Sequence, residues 1–215
     1  MRRFRAIPLL AAALTCTLAA HAREPHGDSA AGRFDYYLLS LSWSPSYCAT
    51  HTGTSEECGK GYGFVLHGLW PQNRDGSWPQ HCRGNGPDEA TIARTLAFMP
   101  SRQLVEHEWQ THGTCSGLDA AAYFALADRA FAAVRIPPAL KAPAVMPNLS
   151  AEDVAQAFEQ VNPGLDASMI SVACHGSDLA EVRICLSRDD LKPQACGGRV
   201  RNTCRAGNLR IPAVK

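Results

Sequence analysis

The sequence predicts one α+β domain stapled by disulfides, and three observations carry that reading. Short aromatic and apolar stretches that read as strands lie toward the two ends of the chain, Phe34–Trp43 and Phe64–Leu66 early, Met169–Ala173 and Leu179–Leu186 late, with helical patterns between them. Eight cysteines remain once the amino-terminal segment is set aside, an even number that reads as four bridges in an exported chain. No internal repeat or low-complexity tract divides the sequence.

That amino-terminal segment is not part of the fold. Arg2, Arg3 and Arg5 give it a basic start, and Ile7–Ala20 is apolar but too short to span a bilayer as a helix. Ala20-His21-Ala22 then offers a small-residue cleavage site, so residues 1–22 read as a secretory signal peptide and residues 23–215 as the mature domain, secreted or periplasmic. Removing 22 of the 215 residues leaves 193, enough for a substantial core. It also removes three of the 21 basic residues, leaving 18 against 20 acidic ones, a formal charge of −2. A broad basic surface holding a polyanion by charge alone is thereby excluded, and any nucleic-acid contact has to be local, through histidines, a few arginines and aromatic rings.

In order, the polar tail Arg23–Arg33 leads into the strand Phe34–Trp43, which Ser44-Pro45 ends. A polar loop, Ala49–Gly61, follows, and a local Cys48–Cys58 bridge would pin it. Phe64–Leu66 is a buried strand, and Gly68 follows His67 where the chain is expected to leave the sheet. Asn73–Gly86 is a loop, with Trp78 expected to pack within it and His81 exposed. Asp88–Phe98 reads as a helix ended by Met99-Pro100, with Ser101 capping a second helix whose apolar stripe is Leu104, Val105 and Trp109. Leu118–Val134 is an alanine-rich amphipathic helix. Pro137, Pro138, Pro143 and Pro147 suggest an extended link, and Ser150 with Asp153 opens a last helix running to Val161. The final third reads as short strands and turns, including the tail after Cys196, and carries no evident chemistry; His175 there reads as structural.

Two stretches carry chemistry. In His107-Glu108-Trp109-Gln110-Thr111-His112-Gly113-Thr114-Cys115, a helix over 104–112 puts Glu108 and His112 four residues apart on one face. A histidine beside a fixed carboxylate can move protons near neutral pH. In His67-Gly68-Leu69-Trp70-Pro71-Gln72, a histidine at a strand is held by a rigid scaffold, and Trp70 serves either as core or as a platform on which a base stacks. The zincin pattern H-E-x-x-H fails, since His112 lies five residues after His107 rather than four. No C-x-x-C pair supports structural zinc, and Cys115 reads as half of a disulfide rather than as a nucleophile.

Together the two motifs resemble those of the ribonuclease T2 family, and the strand leading to Tyr47-Cys48 and the later Tyr123-Phe124 helix follow in the same order, over roughly residues 34–205. The resemblance implies an antiparallel central sheet flanked by helices and an endoribonuclease acting on single-stranded RNA, as a monomer, with no cofactor, metal or membrane. It implies His112 as base, His67 as acid, Glu108 assisting at the phosphate, His107 and Thr111 at the phosphate, and Trp70 and Gln72 at the base. The residues by themselves defend the histidine pair but not which is acid and which is base. The resemblance also implies the bridges Cys82–Cys115, Cys174–Cys204 and Cys185–Cys196.

Two departures stand out. The family pattern has a lysine where this chain has Thr111, which removes a cation from the phosphate, and Gln72 stands where some relatives carry an aspartate, suggesting altered base preference. Either an arginine from elsewhere replaces the lysine or turnover is slow; at the limit the scaffold is an RNA-binding or inhibitory protein. With imidazoles as the proton carriers, activity is expected to peak between about pH 5 and 7.

Overall fold

The computed structural model describes residues 31–51, 56–141, 148–205 and 207–215, so the signal-peptide expectation lies outside the described residues. Its centre is a four-stranded antiparallel sheet in the order β2-β1-β4-β3, built from β1 (Tyr36–Trp43), β2 (Phe64–Gln72), β3 (Ile170–His175) and β4 (Asp178–Ser187). Among the described residues six α-helices complete it: α1 (Ser44–Thr50), α2 (Glu89–Thr95), α3 (Arg102–Thr111), α4 (Ala120–Ala133), α5 (Pro138–Lys141) and α6 (Ala151–Val161).

Alternation along the strands divides the sheet into a core face and a polar face, as an antiparallel sheet with one packed side requires. Tyr37, Leu39, Leu41 and Trp43 of β1 join Val182, Ile184 and Leu186 of β4 in the main core, where Val105 and Trp109 of α3, Tyr123 and Phe124 of α4 and Phe158 of α6 pack against them. Tyr36 and Leu38 turn to the other face and cluster with Cys185, Trp70 and Val200. The helix starts are local chemistry: Asp88, Ser101 and Asp119 each accept a hydrogen bond from the third backbone N–H after them, and Ser150 with Asp153 forms a full capping box.

Four expectations change. Pro45 does end β1, but it then sits in the first turn of α1, where a missing N–H costs nothing, so a helix replaces the start of the expected loop. The proline-rich stretch begins with a short helix, α5, anchored by the fully buried Leu140. The tail after Cys196 contributes no strand among its described residues, only a bridge from Arg210 to Asp178. Most consequentially, β2 does not end at Gly68. It continues to Gln72, and the pairing with β1 skips one residue: Ser40 faces Gly68 while Leu41 faces Leu66, leaving His67 as the extra residue of a bulge. The bulge resets the alternation, so Leu66 and Leu69, three apart, both reach the core. A second irregularity lies between β3 and β4, where Ala173 faces Glu181 and Cys174 faces Leu179.

The sulfurs are joined Cys48–Cys58, Cys82–Cys115, Cys174–Cys204 and Cys185–Cys196. The second of these ties the loop after β2 to the 3-10 turn Gly113–Ser116 that follows α3.

Candidate active site

The site forms where the end of α3 meets the bulge in β2. The ladder carries Trp70 and Gln72 onto the polar face, and α3 brings Glu108 against the backbone of Gly68. A Cβ built on Gly68 would fall 2.0 Å from Glu108 Oε2 and 2.2 Å from Trp70 Nε1, so only glycine leaves room for that carboxylate. The indole N–H of Trp70 donates to Glu108 Oε2 at 2.6 Å, and His67 Nε2 lies 3.6 Å from Glu108 Oε1. Glu108 is almost completely buried, 1% exposed.

His112 closes α3, its N–H donating to the Glu108 carbonyl at 3.0 Å. Its ring and that of His67 each lie 5.2 Å from the Trp70 indole, measured between centroids. The two motifs, about forty residues apart in sequence, thus share one aromatic neighbour. Trp70, Gln72, Trp78, Thr111, His112 and Arg183 line a cleft of about 400 Å³. Thr111 Oγ1 and His112 Nδ1 are buried there without a hydrogen-bond partner among the described residues. His67 lies outside that lining, beside Trp70, and borders a smaller cavity of about 150 Å³ with Glu181 and His51.

The electrostatics push the histidines apart. Burial would pull His67 down, but a hydrogen bond to Glu181 and the charges of Glu108 and Glu181 outweigh it, and its pKa is raised above the ordinary imidazole value. His112 is lowered to about 4 by burial and by the neighbouring positive charges of His107, His67 and His81. Burial lifts Glu108 to about 7, against the opposing pull of His67 and the Trp70 hydrogen bond. Burial would also raise Glu181, but its contacts with His67 and Arg183 hold it down near 2. The two imidazoles are thus displaced in opposite directions from their ordinary value.

His107 sits on the exposed side of α3, close enough to influence His112 but outside the lining of the cleft. Gln72 is buried in the cleft wall, its amide donating to the Pro71 carbonyl at 3.0 Å. Trp78, expected to be packed, is 48% exposed and borders the cleft. His175, read as structural, is exposed beside the smaller cavity. Two participants were missed. Glu181 accepts from His67 Nδ1 at 2.6 Å, and Arg183 pairs with Glu181 through Nε at 2.7 Å and Nη2 at 2.6 Å. Both lie on β4, in the third of the chain that sequence reading left without chemistry. The available signal was a pair of charged residues at alternate positions of an otherwise apolar strand, Leu179–Leu186.

Comparison with known proteins settles the lineage. The model of the Ribonuclease T2 family matches residues 34–196. The chain belongs to the ribonuclease T2 family. Among curated relatives, a ribonuclease of Aeromonas hydrophila is 48% identical over 88 residues, covering 41% of this chain and 40% of that protein. A probable ribonuclease of Haemophilus influenzae is 34% identical over 54% of this chain and 49% of its own length, so the chain spans less than half of either bacterial relative. Ribonuclease DdI of Dictyostelium discoideum is 26% identical across 96% of this chain and 99% of its own. The fold is shared with RNase NT in complex with 5′-AMP, at a TM-score of 0.69 and 24% identity over 84% of this chain and 99% of that one. A variant of RNase MC1, a ribonuclease known from bitter-gourd seeds, in complex with 5′-UMP gives a TM-score of 0.68 at 26% identity over 83% and 98% of the two chains. Within this ribonuclease T2 frame, Thr111 is buried and lines the cleft at the place of the expected lysine.

Proposed function

We propose that the protein is an exported endoribonuclease that cleaves single-stranded RNA through its own 2′-hydroxyl, with residues 1–22 as export signal and residues 23–215 as a single, monomeric catalytic domain. The opposite displacement of two imidazoles around one indole carries this reading: His112, lowered to about 4, is neutral near pH 7, while His67, raised above the ordinary imidazole value, keeps its proton to higher pH than a free imidazole does.

His112 takes the proton of the 2′-hydroxyl, and the freed oxygen attacks phosphorus. His67 gives its proton to the departing 5′-oxygen, leaving a 2′,3′-cyclic phosphate. The histidines then exchange roles as water opens the ring to a 3′-phosphate. Glu108, buried and fixed by Trp70 with its other oxygen facing His67 Nε2, orients the acid. Glu181 takes the His67 Nδ1 proton into a hydrogen bond and so leaves Nε2 as the working nitrogen. Trp70, Trp78 and Gln72 offer stacking surface and an amide to a base, which needs little net charge.

The test is incubation of the mature protein with single-stranded RNA in the presence of EDTA. Cyclic-phosphate ends are expected from the wild type and not from His67→Ala or His112→Ala. RNA bound but left intact by the wild type overturns the enzyme reading in favour of a binding or inhibitory protein.

A further inference from the structure

The reaction proposed above adds negative charge to the phosphate oxygens, and the α3 wall of the cleft meets it with a threonine hydroxyl. The opposite wall is different. Arg183 projects from β4 into the same cleft as Thr111 and His112, its guanidinium carbon 5.4 Å from the centroid of the Trp70 indole that both histidines touch. Glu181 anchors it: one carboxylate oxygen takes Nε and Nη2 of Arg183, and the other takes Nδ1 of His67. No hydrogen bond engages Nη1 among the described residues, and the side chain stays 31% exposed, so the cation is held by Glu181 and open toward the cleft. A cation held before the charge develops is worth more than one that has to be recruited. Arg199 and Arg201 also reach the cleft, but from the exposed carboxyl-terminal loop. Arg183 alone among the three is tied through a carboxylate to a proposed catalytic histidine.

We propose that Arg183 binds the non-bridging oxygens of the scissile phosphate and stabilises the phosphorane, so that the catalytic cation of this protein comes from strand β4 rather than from position 111 of α3. A guanidinium suits two phosphate oxygens at once. The inference rests on the ribonuclease reading and fails separately from it.

The experiment compares kcat and KM on a defined single-stranded oligoribonucleotide for wild type, Arg183→Gln, Thr111→Lys and the Thr111→Lys/Arg183→Gln double variant, with guanidinium ion added to Arg183→Ala. Arg183→Gln is expected to lose about 100- to 1000-fold in kcat, the scale for deleting one preorganised charge-stabilising group. KM should change far less. Restoring the cation from α3 with Thr111→Lys, or from solution with guanidinium, should recover about tenfold or more of the loss. If Arg183→Gln does not fold, Glu181→Gln/Arg183→Gln leaves no buried carboxylate without its cation and is expected to respond to Thr111→Lys in the same way. A wild type that cleaves RNA with an Arg183→Gln variant of equal kcat overturns this inference and leaves the enzyme reading standing. A wild type that does not cleave overturns the enzyme reading itself. Loss of activity that neither Thr111→Lys nor guanidinium repairs, with a displaced alkaline limb of the pH profile, also overturns the inference, because Arg183 then acts only through Glu181 on His67.

Discussion

Substituting Gly68 by alanine tests whether the close approach of Glu108 to the β2 backbone organises the site. The added methyl would sit 2.0 Å from Glu108 Oε2 and 2.9 Å from its carboxyl carbon. Non-bonded heavy atoms prefer about 3.5–4.0 Å, so the carboxylate has to retreat by about 1.5 Å or β2 has to bend. Retreat breaks the 2.6 Å hydrogen bond from Trp70, the kind of charged bond whose net contribution is about 1.5–3 kcal/mol. Staying in place costs a similar amount in overpacking, about 1–3 kcal/mol. The two are alternatives and do not add, so Gly68→Ala should destabilise the fold by about 1–3 kcal/mol, read as a lowered midpoint of urea unfolding with unchanged slope. Activity should suffer more, because a catalytic group displaced by about 1 Å can cost on the order of 100-fold in rate. Glu108→Ala in the same background should add little further loss, since both changes remove one contact. Wild-type kcat together with an unchanged urea midpoint in Gly68→Ala would refute the reasoning.

Other consequences follow from the same geometry. The pH–rate profile should be a bell, with an acid limb near 4 from His112 and an alkaline limb above the ordinary imidazole value from His67; a profile flat to about pH 9 contradicts it. Glu181→Gln removes the carboxylate that raises His67, so its alkaline limb should move to lower pH, and an unmoved limb denies Glu181 that role. His112 is depressed in the folded state, so its contribution to stability is complete above about 6.5 and is lost as pH falls through about 4. His112→Gln should therefore flatten the acid-side loss of stability by at most about 3 kcal/mol, and urea melts at pH 7 and pH 4 would show the difference. Replacing Cys82 and Cys115 by serine opens a closure spanning 33 residues, and should lower stability by about 3–4 kcal/mol. It should also weaken RNA binding as the loop carrying Trp78 loosens; unchanged binding would separate that loop from the substrate.

The sequence by itself determined what local chemistry decides. Ser101 and Ser150 marked helix starts because a side-chain oxygen satisfies backbone donors a few residues away, and Asp88 and Asp119 cap α2 and α4 in the same way in the structure. The strands were legible from aromatic and apolar runs. Helical spacing set Glu108 beside His112, but α3 ends at Thr111 and the Glu108 carboxylate turns to Trp70 and His67 instead. His67 was found by its motif, but its setting was not. A bulge depends on what the neighbouring strand offers, and nothing in Leu66-His67-Gly68 states that β1 will skip a residue there. Glu181 and Arg183 were passed over for the same reason. Their roles arise because β4 pairs with β1 on the side opposite β2, which sets a carboxylate more than a hundred residues away against the Nδ1 of His67. The division of labour between the two imidazoles belongs to the tertiary structure as well, since burial and the surrounding charges, not residue type, displace one upward and the other downward.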